Sequence, residues 1–405
     1  MEHSLEVQST SQTIKINKHF LAMLALFVIP VSGLGIDIYV PSLPAVSHFF
    51  GVDKASAQLT ITSYMLGLGL MQLFAGSISD SFGRRKPFLI SMFIFISATL
   101  LIPFAHNIQQ LLTLRFIQGV TVAMVVVPMR SVISDLYEGP AYYKMINYMT
   151  MVWSIGPIIA PAIGGYLQYY FNWQANFYFL GIYGIISFIL NYLFLSETSV
   201  HRHAFHIKKI LARYKEILTN KDYLVGLAIN GLLYSIIILF TIVGPFLIQN
   251  ILHYSAVEFG HVALLIGLAW FLATMINRFL LHVSFKQKAI YSFWIMLMIA
   301  ISSLAFALIN PMSIYSIAIP VILLFLTGGI LFPNCFARSM ALFPKMTGSA
   351  NALFGGFLFL ISGASSGLGT FLKSSSNIPL LSAYILIISL CLVVYYKGVK
   401  NSVVV

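Results

Sequence analysis

Gly76-Ser-Ile-Ser-Asp80-Ser-Phe-Gly83-Arg84-Arg85-Lys86 is the stretch whose reading decides how this chain folds. Apolar runs flank it at 58–79 and 87–106. Each run is near the ~20 residues that a helix needs to cross a bilayer. The segment between them has room only for a turn, made at Gly83, with Arg84, Arg85 and Lys86 at headgroup level. Gly76 permits close helix approach. Asp80 stands at a helix end, where a carboxylate can pair with a cation or a helix N-terminus in one conformation and release it in another.

The same alternation recurs along the chain. Of its 405 residues 59% are hydrophobic and 8% charged, and the mean hydropathy is +0.91. Backbone groups in hydrocarbon must bond internally, so the runs read as transmembrane helices. They lie at 20–41, 58–79, 87–106, 110–135, 143–169, 174–195, 223–249, 257–281, 288–309, 314–341, 347–372 and 378–396. The fold class is therefore all-α and transmembrane. Twelve spans put both termini on one side. Of the Lys and Arg residues outside the spans, only Lys54 and Lys373 then fall on the other side. This asymmetry predicts cytoplasmic termini in an inner membrane. It also accounts for the net charge of +12, because the basic residues flank spans and do not line a nucleic-acid groove.

The organisation expected is a cytoplasmic N-terminus at 1–19, a six-helix half at 20–195, a middle loop at 196–222, a second half at 223–396 and a cytoplasmic C-terminus at 397–405. No cleavable signal peptide is expected, since the first run is too long for one. Self-similarity between the halves is faint: Pro128-Met129-Arg130 has a loose counterpart in Pro333-Asn334 with Arg338. Two such halves place a cavity between them at the bilayer midplane.

Eleven acids are present, and Asp37 alone lies well inside an apolar run, a few residues from its expected outer end. An ionised carboxylate there is costly, so Asp37 is expected to be paired or protonated. Two roles stay open for it, a proton-coupling acid and a structural cap on the Tyr39–Pro44 turn. Arg115 is the intramembrane cation expected to face the interior, either modulating Asp37 or bonded to backbone carbonyls. Arg130 with Asp135 reads as a local ion pair. Gly156-Pro157, Pro161 and Gly164-Gly165 make a kinked, tightly packable helix. Polar anchors for a central cavity are Tyr39, Asn230, Tyr234, Trp270 and Asn334. Cys335 and Cys391 lie in apolar runs and read as reduced packing residues.

Other chemistries find no residues to carry them. There is no Gly-rich loop with Lys-Ser/Thr, so ATP does not drive the protein directly. No nucleophile elbow, His-Glu-x-x-His or paired catalytic carboxylates occur, and an enzyme is not expected. His201, His203 and His206 form a His-x-His-x-x-His pattern that reads as a solvated basic loop and not as a metal site.

The Gly76–Lys86 segment resembles the signature loop of the major facilitator superfamily. Arg115-Phe-Ile-Gln118-Gly119 is similar to that superfamily's Arg-x-x-Gln-Gly element, and Gly156 to Gly165 resembles the antiporter motif of its drug/proton exporters. Asp37-Ile-Tyr39-Val-Pro41-Ser-Leu-Pro44 resembles the Asp-x-Tyr-x-Pro-x-x-Pro pattern of Bcr/CflA-type multidrug exporters. Asp135-Leu136-Tyr137 and Glu197-Thr198 fit the same group. In the second half the counterpart of the signature loop, from Asn277-Arg278 to Lys288, lacks the acid. The resemblance implies the twelve-helix major facilitator fold and a monomeric transporter that exports small amphipathic compounds. Such a protein uses the proton gradient and no cofactor. It further implies proton coupling through Asp37 and Arg115, and a gate built from Gly76, Asp80, Gly83 and Arg84. A dedicated exporter of one metabolite, such as a siderophore or amino acid, is the alternative within transport. A non-transporting receptor or scaffold is the alternative outside it.

Overall fold

A computed structural model describes residues 17–199, 205–280 and 282–398, and among these residues it contains helices and no strands. His201 and His203 lie outside the described residues, as do residues 1–16 and 399–405. Among the described residues twelve helices are long and apolar enough to span a membrane: Lys18–Phe50, Lys54–Phe82, Arg85–Phe104, Ile108–Leu136, Gly139–Tyr170, Gln174–Phe194, Lys221–Ile251, Ala256–Phe279, Phe285–Ile309, Ile314–Ala341, Thr347–Gly369 and Ile378–Gly398. They are spans 1 to 12 below. One further helix, Ile207–Leu218, lies between spans 6 and 7 and is the linker helix.

Polar residues at the breaks start the spans. Asp53 accepts a bond from the Ser56 amide at 2.9 Å, and Asn107 accepts one from the Gln110 amide at 2.9 Å. Ser255 and Glu258 close a reciprocal capping box at the head of span 8. Such caps satisfy amides that the helix itself leaves open.

Span 1 departs from expectation. Its helical path continues beyond residue 41 to Phe50, as segments Lys18–Val28, Val31–Asp37, Val40–Ser42 and Leu43–Phe50. Pro41 and Pro44 sit in the first turns of new segments, where a missing N–H costs nothing, so they redirect the helix and do not end it. Asp37 is consequently in the middle of the span and not near its end.

Spans 1 to 6 pack with one another, as do spans 7 to 12, and the halves meet chiefly where span 2 lies on span 11 and span 5 on span 8. Large apolar side chains such as Phe93, Ile295 and Met298 stay exposed on the outside, where lipid is their natural solvent. Inside, small residues set the helix distances. A methyl on Gly67 would collide with the Phe116 carbonyl of span 4, and one on Gly119 with the Tyr64 carbonyl of span 2. Gly76 corrects an expectation. Nothing lies within 4 Å of where its Cβ would stand, so it is not the contact point. Spans 2 and 11 touch deeper in the membrane, where a Cβ on Gly69 would lie 2.9 Å from the Gly356 carbonyl.

Gly119→Leu is expected to destabilise the first half by at least the ~1–3 kcal/mol typical of overpacking, whereas Gly76→Ala leaves stability unchanged. Thermal unfolding of the two variants in detergent checks this, and equal melting of both contradicts the packing described.

Candidate functional site

The broken stretch of span 1 exposes backbone groups at membrane depth, and neighbouring spans bond them. Tyr64 of span 2 donates its hydroxyl to the Ser32 carbonyl at 3.0 Å. Arg115 of span 4 donates to the Gly35 carbonyl at 2.8 Å. Gln249 at the end of span 7 donates to the Pro41 carbonyl at 2.9 Å. Asn176 of span 6 donates to the Ser42 hydroxyl at 2.7 Å. A broken membrane helix is tolerated where such partners exist.

Arg115 is fully buried. Besides Gly35 it bonds the Gln118 side-chain carbonyl at 3.0 Å, and Gln118 in turn donates to Thr99 at 2.7 Å. Its guanidinium lies over the rings of Tyr39, Tyr64 and Phe177, at 5.0, 4.6 and 5.7 Å from their centroids. Aromatic faces attract a desolvated cation. Arg115 therefore holds span 1, and no ion pair joins it to Asp37 among the described residues.

Asp37 is partly exposed and makes no hydrogen bond or ion pair among the described residues. It lies over Gly33, beside Pro157 of span 5. It lies on span 1 next to span 5, the helix that meets span 8 of the second half, so it stands beside the seam between the halves. Tyr234 packs against Phe332 and Phe359, and Trp270 against Phe332 and Phe325, with ring centroids 5.5–6.3 Å apart. Phe332 and Phe359 escaped sequence reasoning, because 33 Phe and 21 Tyr make any single aromatic uninformative.

The other anchors sit elsewhere. Tyr39 is fully buried behind Arg115 and accepts a bond from Thr60 at 3.1 Å. Asn230 is fully buried and donates to the Phe332 carbonyl at 3.1 Å, bracing the aromatic group from behind. Asn334 donates to Asn277 at 2.8 Å and accepts from Lys288 at 3.2 Å, near the ends of spans 8 to 10 that face the termini.

Span 5 is pressed between span 1 and span 8. Gly156 faces the Gly33–Leu34 backbone, and a methyl on Gly164 would collide with the Ile38 carbonyl just after Asp37. On the other side, a Cβ on Gly165 would lie 2.5 Å from the Ala256 carbonyl, and one on Gly260 2.8 Å from the Pro161 carbonyl. The Gly156–Gly165 segment thus packs on the stretch of span 1 that carries the partly exposed acid and on the opposite half.

At the terminus-bearing face, Arg84 gathers the ends of spans 2 and 4. It pairs with Asp80 one turn earlier and with Asp135 at 3.0 Å, and also bonds Ser79 at 3.2 Å. Thr198 donates to the same Asp135 carboxylate at 2.8 Å. Gly83 has φ +88°, a conformation that favours glycine. The turn presents the Arg84 amide to Glu197 at 2.8 Å and the Arg85 amide at 3.3 Å. The expected Arg130–Asp135 pair is corrected: the cation on Asp135 is Arg84. Residues five apart on a helix do not share a face, whereas those three or four apart do. Glu197 had no assigned role from sequence, although an acid just past a span end, on the same face as an Arg-Arg-Lys turn, is the signal that marks it.

Side-chain bonds between the two halves gather, among the described residues, toward the face opposite the termini. Lys54 donates to the Leu372 carbonyl and the Ser374 hydroxyl, both at 3.0 Å. Gln58 donates to the Ile242 carbonyl at 2.7 Å, and Thr62 to Ser366 at 2.8 Å. With Gln249 on Pro41, these bonds tie the halves together at that face.

A two-half helical bundle with a partly exposed acid at its seam defines a membrane transporter. The Major Facilitator Superfamily model matches residues 25–395, and the chain belongs to that family. A bicyclomycin resistance protein homolog of Haemophilus influenzae is 24% identical over 365 residues, covering 89% of this chain and 92% of that protein. The multidrug resistance protein MdtL of Shewanella oneidensis is 27% identical over 64% of this chain and 65% of its own length. The fold matches a D-xylose-proton symporter with a TM-score of 0.75 at 13% identity, over 94% of this chain and 97% of that one.

Lys54→Met combined with Gln58→Leu removes bonds worth ~1 kcal/mol each and is expected to loosen the face opposite the termini. A cysteine placed at Thr60 then labels about tenfold faster with a polar alkylating reagent, while the buried Cys335 and Cys391 stay silent. Unchanged labelling contradicts the tie.

Proposed function

We propose that the protein exports small amphipathic compounds in exchange for protons across the cell's inner membrane, with both termini in the cytoplasm. The observation that carries this reading is Asp37, a carboxyl in mid-span, partly exposed and without a cation. A charged side chain at bilayer depth costs roughly 2.5–3.5 kcal/mol on insertion scales. With no counter-ion, the carboxyl meets that cost by holding a proton when the seam is dry and releasing it when water or a cationic compound enters. Relatives named for resistance to bicyclomycin and to multiple drugs support the substrate class.

In the proposed cycle Asp37 gives its proton to the cytoplasmic side and reloads from the outside. Arg115 is a positioning residue, since it fixes the Gly35 carbonyl two residues before Asp37. The Asp80–Arg84–Asp135 cluster keeps the ends of spans 2 and 4 together as one body while the halves rock. The Gly156–Gly165 segment limits leak beside Asp37. Tyr234, Trp270, Phe332 and Phe359 offer an apolar wall with one hydroxyl, suited to a flat lipophilic cation. The proton gradient supplies the energy and no cofactor is required.

Proteoliposomes with an imposed pH gradient and ethidium as the probe test this. Wild-type protein is expected to drive gradient-dependent flux, and Asp37→Asn to lower it by about tenfold or more while the protein stays folded. Full exchange in the Asn variant, or no flux from wild type with any cationic dye, contradicts the proposal.

A further inference from the structure

The linker helix Ile207–Leu218 is amphipathic in a way the transport reading does not use. Ile210, Tyr214 and Ile217 are buried at a spacing of four and three, the spacing of one helix face. Lys208, Lys209, Arg213 and Lys215 are exposed. The buried face packs on Tyr223, Leu227, Leu353 and Phe354 of the second half. Tyr214 also donates its hydroxyl to the Leu73 carbonyl of span 2, so the helix touches both halves.

Beside it lies a groove of about 470 Å³, within the ~300–1,000 Å³ range of ligand clefts. Leu73 and Phe74 of span 2, Leu353 and Phe357 of span 11, and Leu211 of the linker helix form its walls, with Lys215 among them. Leu73 is nine residues from the end of span 2 at Phe82. At 1.5 Å per residue that is about 13 Å along the helix from its terminus-bearing end, so this wall belongs to an apolar span and not to a loop. Leu211 and Ile207 remain 52% and 42% exposed amid the four cations. Exposed apolar side chains interleaved with Lys and Arg suit the plane where headgroups meet hydrocarbon.

We infer that this groove binds an anionic phospholipid, one acyl chain lying between spans 2 and 11 and the phosphate resting on the cations of the linker helix. Walls drawn from two apolar spans select a lipid over a free anion or a soluble peptide. Charge selects an anionic headgroup, since basic residues at this face attract acidic lipids. Spans 2 and 11 belong to different halves, so an occupied groove wedges them apart at the terminus-bearing face and favours the arrangement seen in this structure. This inference needs the membrane placement of the chain but not the role proposed for Asp37, and its test reads no transport.

The full chain, purified in detergent, is exposed to phosphatidylglycerol, to phosphatidylcholine with the same chains, and to glycerol phosphate. Lipid retention is read by native mass spectrometry and stability by thermal unfolding. Phosphatidylglycerol alone is expected to stay bound and to raise the melting temperature. Replacing Lys208, Lys209, Arg213 and Lys215 together by Gln is expected to weaken retention more than about tenfold. Leu211→Glu, an exposed position that puts a negative charge at the groove, is expected to do the same with all four cations present. Neutralising Lys286 and Lys345, exposed elsewhere on this face, is expected to change nothing. Equal retention of the two lipids, or phosphatidylglycerol retention that survives both linker variants, overturns the site. A loss as large from the Lys286 and Lys345 variant shows diffuse charge and also overturns it. Glycerol phosphate binding as tightly as the lipid overturns the acyl-chain assignment.

Discussion

A guanidinium removed entirely from water, bonded to the Gly35 carbonyl and covered by three aromatic rings, is the constraint on which this molecule turns. Burying a cation without a carboxylate is expensive. Here a backbone carbonyl and the Gln118 side chain, both on Nη1, and the faces of Tyr39, Tyr64 and Phe177 offset part of that cost, while Nε and Nη2 have no hydrogen-bond partner among the described residues. Two consequences follow. Span 1 can break at the midplane without stranding its backbone, and Asp37, two residues further on, has no cation to neutralise it. The proposed proton exchange at Asp37 rests on that lack of a counter-ion.

The halves hold their terminus-bearing ends differently. In the first half Arg84 is shared by two carboxylates, and Glu197 accepts from the two amides beyond the Gly83 turn, so the ends of spans 2, 4 and 6 form one charged knot. The second half puts Lys288 among amide oxygens of Asn277 and Asn334, at 3.4 and 3.2 Å. Amide dipoles hold a cation more weakly than carboxylates do. The first half is therefore the more strongly tied at this face. At the opposite face the ties are neutral side chains, and one lysine, on backbone carbonyls and hydroxyls, contacts of modest individual strength.

Much of this architecture is legible in the amino-acid string, because hydrocarbon leaves a chain few options. The twelve runs, the shared side of the termini and the interior position of Arg115 follow from backbone satisfaction and the placement of lysines and arginines, whereas the mid-span depth of Asp37 does not. Legibility fails where tertiary neighbours decide. Pro41 and Pro44 read as the end of span 1, yet each falls in the first turn of a new segment and the path continues to Phe50. Gly76 reads as a contact point, yet the crossing of spans 2 and 11 lies at Gly69 and Gly356. Asp135 finds Arg84 from another helix and not Arg130 from its own. The wall formed by Phe332 and Phe359 carries no local signature at all, since it arises only when spans 7, 8, 10 and 11 converge.

The claim that Asp37 toggles its charge at the seam is tested most directly by infrared difference spectroscopy on reconstituted protein, with Asp37→Asn as the reference that assigns the carboxyl band. The account predicts a protonated-carboxyl band in the resting protein that disappears when a lipophilic cation is added and returns when it is washed out. A band that does not respond to the cation, or a carboxylate that stays ionised throughout, would contradict it.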